Sequence, residues 1–202
     1  MPKIVDARQY RQELLSKCFD LFASRGYANV TTRQIAKELG VSTGTLYHYF
    51  PSKQALFEQL VEQVSLQDFE ILKSVDRNQT IAKRIDALGQ ILIENREYII
   101  KQAAIWDSFA RQSSALEIDN NSVFQQADLR YQNAISELLE LENPQLARFI
   151  WTLVDGISRE QINREDSESF ATQINLLTQM LIAYFEKHIL MKWGNGELKN
   201  SS

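Results

Sequence analysis

Residues 31–53 read TTRQIAKELGVSTGTLYHYFPSK, from Thr31 to Lys53. The stretch predicts a helix, a tight turn, a second short helix and the start of a third. Thr31, followed three residues later by Gln34, is a capping box at a helix start. Ile35, Ala36 and Leu39 then fall on one helical stripe. Gly40 stands where that helix must stop, because glycine adopts the left-handed backbone of a C-terminal cap without steric cost. Ser42 is the next N-cap, for a helix over about 43–50. Only Leu46 and Phe50, four apart, are plainly apolar in it, so one edge packs inward. Thr43, Thr45, Tyr47, His48 and Tyr49 carry hydrogen-bonding groups, and Gly44 carries no side chain. So short a helix is not stable alone. Small residues for close approach, and donors for base edges and phosphates, suit it to the major groove of DNA. Pro51-Ser52-Lys53 opens the next helix, with Ser52 as cap. Lys53 in its first turn opposes the helix dipole, so a phosphate is its better partner.

The segment from about Arg8 to Val61, roughly a quarter of the chain, resembles the DNA-binding domain of the tetracycline-repressor (TetR) family. The matching pieces keep their mutual spacing: Ala23-Ser24-Arg25-Gly26-Tyr27, Thr31 to Ala36, Gly40-Val41-Ser42, Gly44 to Phe50 and Ser52-Lys53. The resemblance implies DNA contacts from Thr32, Arg33, Thr43, Gly44, Thr45, Tyr47, His48, Tyr49 and Lys53. Thr32 and Arg33 would open their helix near the backbone or a base edge. Thr43, Gly44 and Thr45 would lead into the bases. Tyr47, Tyr49 and Lys53 match family positions that contact phosphates. It also implies a ligand pocket among the body helices, a homodimer joined through the last two long helices, and a near-palindromic double-stranded operator. Repression relieved by a small-molecule effector is the commoner family behaviour; an effector-independent DNA-binding or partner-binding regulator, an activator or architectural protein, is the alternative.

Charge follows the same division. The chain of 202 residues carries −4 overall. Residues 1–53 hold eight lysines and arginines against four carboxylates, a net +4, which leaves −8 for the rest. A basic head on an acidic body fits a protein that touches phosphates at one end only. Composition, 44% hydrophobic and 24% charged with 7 Gly and 3 Pro, favours a helical globular fold. No leader and no membrane-length apolar run is read, so the expected location is cytoplasmic.

The remaining helices follow the apolar period. After a short arm at Met1 to Val5, which includes Lys3, one helix is expected over 7–25, with Leu14, Cys18, Leu21 and Phe22 in register. Cys18 on that stripe is a core thiol or, alternatively, a redox sensor. A long helix from Ser52 to about Val75 bridges head and body with no flexible linker. Helices are then expected over about 80–93, 96–109, 122–141, 144–162 and 169–193, with a polar loop at 112–121, a charged loop at 163–168 and a disordered tail over 194–202. Asn143-Pro144 is a clean helix start. The expected fold is all-α, about nine helices, with a helix-turn-helix head over 1–61 and a ligand-binding and dimerisation body over 62–193.

Two sets of body residues are candidates for function. Trp106, Phe109, Phe124, Tyr131, Trp151 and Met180 are large or flexible side chains that line a pocket or form ordinary core. The last two helices are apolar over an arc wide enough for two partners. Phe149, Leu153, Ile157, Ile174, Leu177, Leu181 and Phe185 are therefore the candidates for the dimer interface. For catalysis the chain offers little. His48 and His188 lie at opposite ends, and no zinc-protease, phosphate-loop or nucleophile-elbow motif occurs. No metal site, cofactor or enzymatic activity is expected.

Overall fold

The computed structural model describes residues 6–162, 164 and 167–194. Among these the chain forms ten helices and no strand: α1 (Ala7–Arg25), α2 (Thr32–Leu39), α3 (Thr43–Tyr49), α4 (Lys53–Lys73), α5 (Ile81–Glu94), α6 (Arg96–Ala110), α7 (Ala115–Asp119), α8 (Ser122–Leu139), α9 (Pro144–Glu160) and α10 (Ser167–Gly194). The expected arm at Met1–Val5 lies outside the described residues. So does the expected tail beyond Gly194, and so does part of the loop at 163–168.

Thr31, Ser42, Ser52 and Asn143 start helices as the sequence predicts, and Asp6 and Thr80 act in the same way. Asp6, Thr31, Ser42, Ser52, Thr80 and Asn143 each accept a backbone N–H of the first turn. These caps satisfy donors that a helix start otherwise leaves orphaned. Gly40 ends α2 in the left-handed region, at φ 68°. α7 corrects the expectation of a loop over 112–121 and raises the helix number from nine to ten. Its cause is local. Ser114 Oγ accepts from Glu117 N at 3.2 Å, and Glu117 Oε2 accepts from Ser114 N at 2.8 Å. This reciprocal capping box starts a helix whose few apolar residues give no periodic signal.

Two apolar clusters hold the helices together. The first joins Leu14, Cys18 and Phe22 of α1 to Ile35, Leu46, Leu56, Phe57 and Leu60, and it extends into the body through Ile105, Phe109 and Phe124. Phe57 stacks on Phe109 at 4.1 Å, and Tyr27 meets Phe109 at 5.1 Å. Each such ring stabilises by roughly 1.5–3 kcal/mol when taken from water. Cys18 is fully buried in this cluster, and burial pushes its thiol up to about 12, the chemistry of an inert core thiol. Gly26 follows α1 at φ 78°, where a Cβ would stand 2.9 Å from Ser108 Oγ of α6. Ala28 N–H donates to the same oxygen at 3.2 Å. The turn after α1 is thereby fastened to α6.

The second cluster joins Ile85 and Leu88 of α5 to Leu138, Ile150, Val154, Leu177 and Leu181. Gly89 lets α5 and α10 approach closely, since a Cβ there would stand 2.6 Å from Thr178 Cγ2. α4 belongs to both clusters. Phe57 and Leu60 sit in the first, and Leu72 packs on the second.

The apolar arc of α10 has a buried and an exposed side. Of the residues expected at a dimer face, Ile174, Leu177 and Leu181 are buried in the core of this chain. They form the inner of the two apolar stripes on α10. The outer stripe, at Leu176, Met180 and Tyr184, is exposed, as is Phe149 on α9. Leu153, Ile157 and Phe185 are half-buried at the edge of the second cluster.

Candidate nucleic-acid interface and body cavity

α3 is fixed from beneath and open above. Leu46 and the Phe50 that follows the helix are 1% exposed, anchored in the first cluster. Thr43, Gly44, Tyr47 and His48 are exposed. Their spacing of one, four and five residues puts all four on one outward face. Val41 N–H bonds Ala36 O at 2.9 Å, closing the turn that sets α3 against α2.

The other predicted contact residues cluster around that face. Arg33 is exposed at the start of α2. Thr32 Oγ1 and Tyr47 Oη lie 3.4 Å apart, so the two helices present adjacent hydroxyls. Thr45 is half-buried, and its hydroxyl lies 2.8 Å from the cap oxygen of Ser42. Tyr49 leans back onto α1, with its ring 5.6 Å from Tyr10 and Arg11 5.8 Å from its centroid. Lys53 Nζ stands 4.1 Å over the Tyr27 ring, and partial burial lowers its pKa. Thr45, Tyr49 and Lys53 are therefore partly engaged by the protein itself. Glu38 is the one carboxylate between Thr31 and Lys53, and it is paired with Arg25 at 3.2 Å. The face is left with basic and neutral donors.

In the body, a cavity of about 450 Å³ lies between the clusters, bounded by residues of α1 and α4 to α9. Trp106, Phe124, Tyr131 and Trp151 line it. Tyr131 and Trp151 stack at 4.2 Å, and Trp106 meets Phe124 edge-on at 5.0 Å. Phe109 is not among the lining residues, because it is buried behind Phe57. Met180 is not among them either, because it lies on the exposed stripe of α10.

Sequence reasoning missed the polar centre of this cavity. Asp68 accepts from Tyr131 Oη at 2.6 Å and Gln102 Nε2 at 3.0 Å, and also from the Tyr98 hydroxyl. Burial pushes its carboxyl upward while the three donors pull it down. Burial beside this carboxylate raises both phenols, so they stay protonated and keep donating. The available signal was register: Val61, Val64, Asp68 and Leu72 share one stripe of α4, and a carboxylate interrupts an apolar series.

Three comparisons bear on the whole arrangement. The family model described as "Bacterial regulatory proteins, tetR family" matches residues 14–60, the stretch from the middle of α1 into α4. A nucleoid occlusion factor SlmA from Aliivibrio fischeri is 30% identical over 132 residues, spanning 63% of this chain and 67% of that one. The chain spans about half the length, or less, of other relatives of that name, 47% for the Glaesserella parasuis protein and 41% for that of Haemophilus influenzae. A transcriptional regulator from Rhodococcus superposes with a TM-score of 0.69 at 20% identity, over 86% of this chain and 96% of that one. The Bacillus subtilis transcriptional regulator FadR in complex with stearoyl-CoA superposes with a TM-score of 0.65 at 17% identity, over 84% and 96%. No described helix is long and apolar enough to cross a membrane.

Proposed function

The chain belongs to the tetR family of bacterial regulatory proteins, and on that premise we propose that it is a homodimeric, ligand-responsive repressor that binds a near-palindromic operator. The head, residues 1–61, binds DNA, and the body, residues 62–193, holds the ligand and the partner subunit. The observation that carries this reading is the outward face of α3, four exposed residues on a buried anchor beside Arg33 and Lys53, with the one nearby carboxylate, Glu38, held by Arg25. Thr43 and His48 reach base edges, and Gly44 allows the groove to close on the helix. Arg33, Tyr47 and Lys53 meet phosphates and set the register. A ligand that prefers one arrangement of the cavity shifts α4 and moves the heads off the half-site spacing. A cavity of about 450 Å³ supports this against an effector-independent regulator, which has no use for one.

The test is a selection of bound duplexes from a random pool, followed by affinity measurements on the selected site. Wild-type protein is expected to enrich a near-palindrome. Tyr47→Ala and Lys53→Ala are each expected to weaken binding by roughly 1–3 kcal/mol, ten- to a hundredfold. Equal affinity in both variants and wild type would remove α3 and the start of α4 from the interface.

A further inference from the structure

The cavity has a charge character that selects among ligands, and the inference rests on the ligand-responsive reading above. Its lining includes four carboxylates, Asp68, Asp119, Asp128 and Asp155, against one guanidinium, Arg159. That guanidinium is already held by Asp155 at 2.7 Å. Arg130, next to Tyr131 in the chain, is engaged by Glu62 at 3.1 Å and by Ser65. Among the described residues Asp68 has no salt bridge, and its partners are the neutral donors of Tyr98, Gln102 and Tyr131. A carboxylate set in a largely apolar cavity with hydrogen bonds but no counter-cation carries charge that a ligand can compensate.

We propose that the cavity takes a lipophilic organic cation, whose quaternary or protonated amine lies beside Asp68 while its hydrocarbon part lies among Phe57, Trp106 and Phe124. The aromatic lining supports the cation as well as the hydrocarbon. Tyr98, Tyr131 and Trp151 adjoin the carboxylate or its donors, and ring faces attract ammonium groups. An anionic amphiphile of the same length meets the same apolar wall, but its head is repelled by an excess of carboxylates. A neutral one leaves Asp68 uncompensated.

The experiment compares decyltrimethylammonium, decanol and decanoate, matched in chain and different in head charge, each below its micellar concentration. Calorimetry on the full chain gives affinity, and fluorescence anisotropy of a bound operator duplex gives release. The cation is expected to bind about tenfold or more tighter than decanol, with decanoate weakest. Asp68→Asn, which keeps size and loses charge, is expected to abolish that preference. Decanol or decanoate binding as tightly as the cation, or no binding of the cation at all, overturns the proposal, and so does an unchanged preference in a folded Asp68→Asn protein. The ligand order on the unaltered chain decides the matter even where the variant does not fold. A cation that binds preferentially without releasing DNA leaves the ligand class standing and removes the release mechanism. Decanoate that binds tightly and releases DNA does the reverse.

Discussion

Gly44 has no neighbour that requires it to be glycine. A Cβ there would meet only Ser42 Oγ, at 3.6 Å, an ordinary contact, and its backbone is helical. A residue with poor helix propensity, on an exposed face and without an internal reason, reads as space kept for a partner. Gly44→Ala is therefore expected to raise stability by about 0.5 kcal/mol, seen as a higher denaturation midpoint. The same change is expected to weaken operator binding. A stabilised protein with unchanged DNA affinity would place Gly44 outside the groove. Asp68 shows the opposite case. It sits on an apolar stripe where a carboxylate has no local advantage, and its role becomes visible only when Tyr98, Gln102 and Tyr131 are brought to it from α6 and α8.

Elements whose ends are written in adjacent residues were readable from the chain. The capping box at Thr31, the left-handed Gly40, the Ser42 and Ser52 caps and Pro144 all act over four or five residues, and all appear where the sequence puts them. What the sequence does not resolve is which stripe of a two-sided helix faces its own core. α10 carries two apolar stripes of similar character, and its packing on α5 and α9 selects the inner one, at Ile174, Leu177 and Leu181. α8 ends by another long-range device. Arg84 of α5, 5% exposed, donates to Leu138 O at 2.9 Å and to Gln79 O at 3.0 Å, and it pairs with Glu140 at 3.0 Å. A buried cation at a helix C-terminus complements the dipole there. Arg84→Leu leaves two carbonyls without their donor, and it is expected to cost about 2–3 kcal/mol in chemical denaturation. A loss below about 0.5 kcal/mol, the range of an ordinary surface change, would show that Arg84 is not needed to end α8.

The assembled molecule divides its labour by charge and by exposure. The first 53 residues carry +4 and the remainder −8. In the proposed complex this distribution would hold the acidic body away from DNA while the head approaches it. The outer stripe of α9 and α10, with Phe149 58%, Leu176 56% and Met180 60% exposed, suits a self-complementary contact between two copies. Met180→Glu is expected to convert a sedimenting dimer into a monomer and to lower operator affinity with it. A dimer that survives the change would move the interface elsewhere. Packed groups join body and head: Phe124, Phe57, Phe109 and Tyr27 form one ring cluster, and Lys53 lies on Tyr27. None of that continuity between head and body is local in sequence. The sequence therefore shows the unbroken α4 as a bridge between head and body, and not the fastening of the head to α6 and α8.

In the function proposed above, two copies of this chain read one operator through α3. The most direct measurement is footprinting on the DNA upstream of the protein's own gene and on the selected duplex, across a salt series. Two protected half-sites related by near-palindromic symmetry are expected, with major-groove contacts spaced by whole helical turns. Affinity is expected to fall steeply as salt rises, because phosphate contacts release counterions. Protection of a single half-site, or weak binding on both DNAs indifferent to sequence, would contradict it.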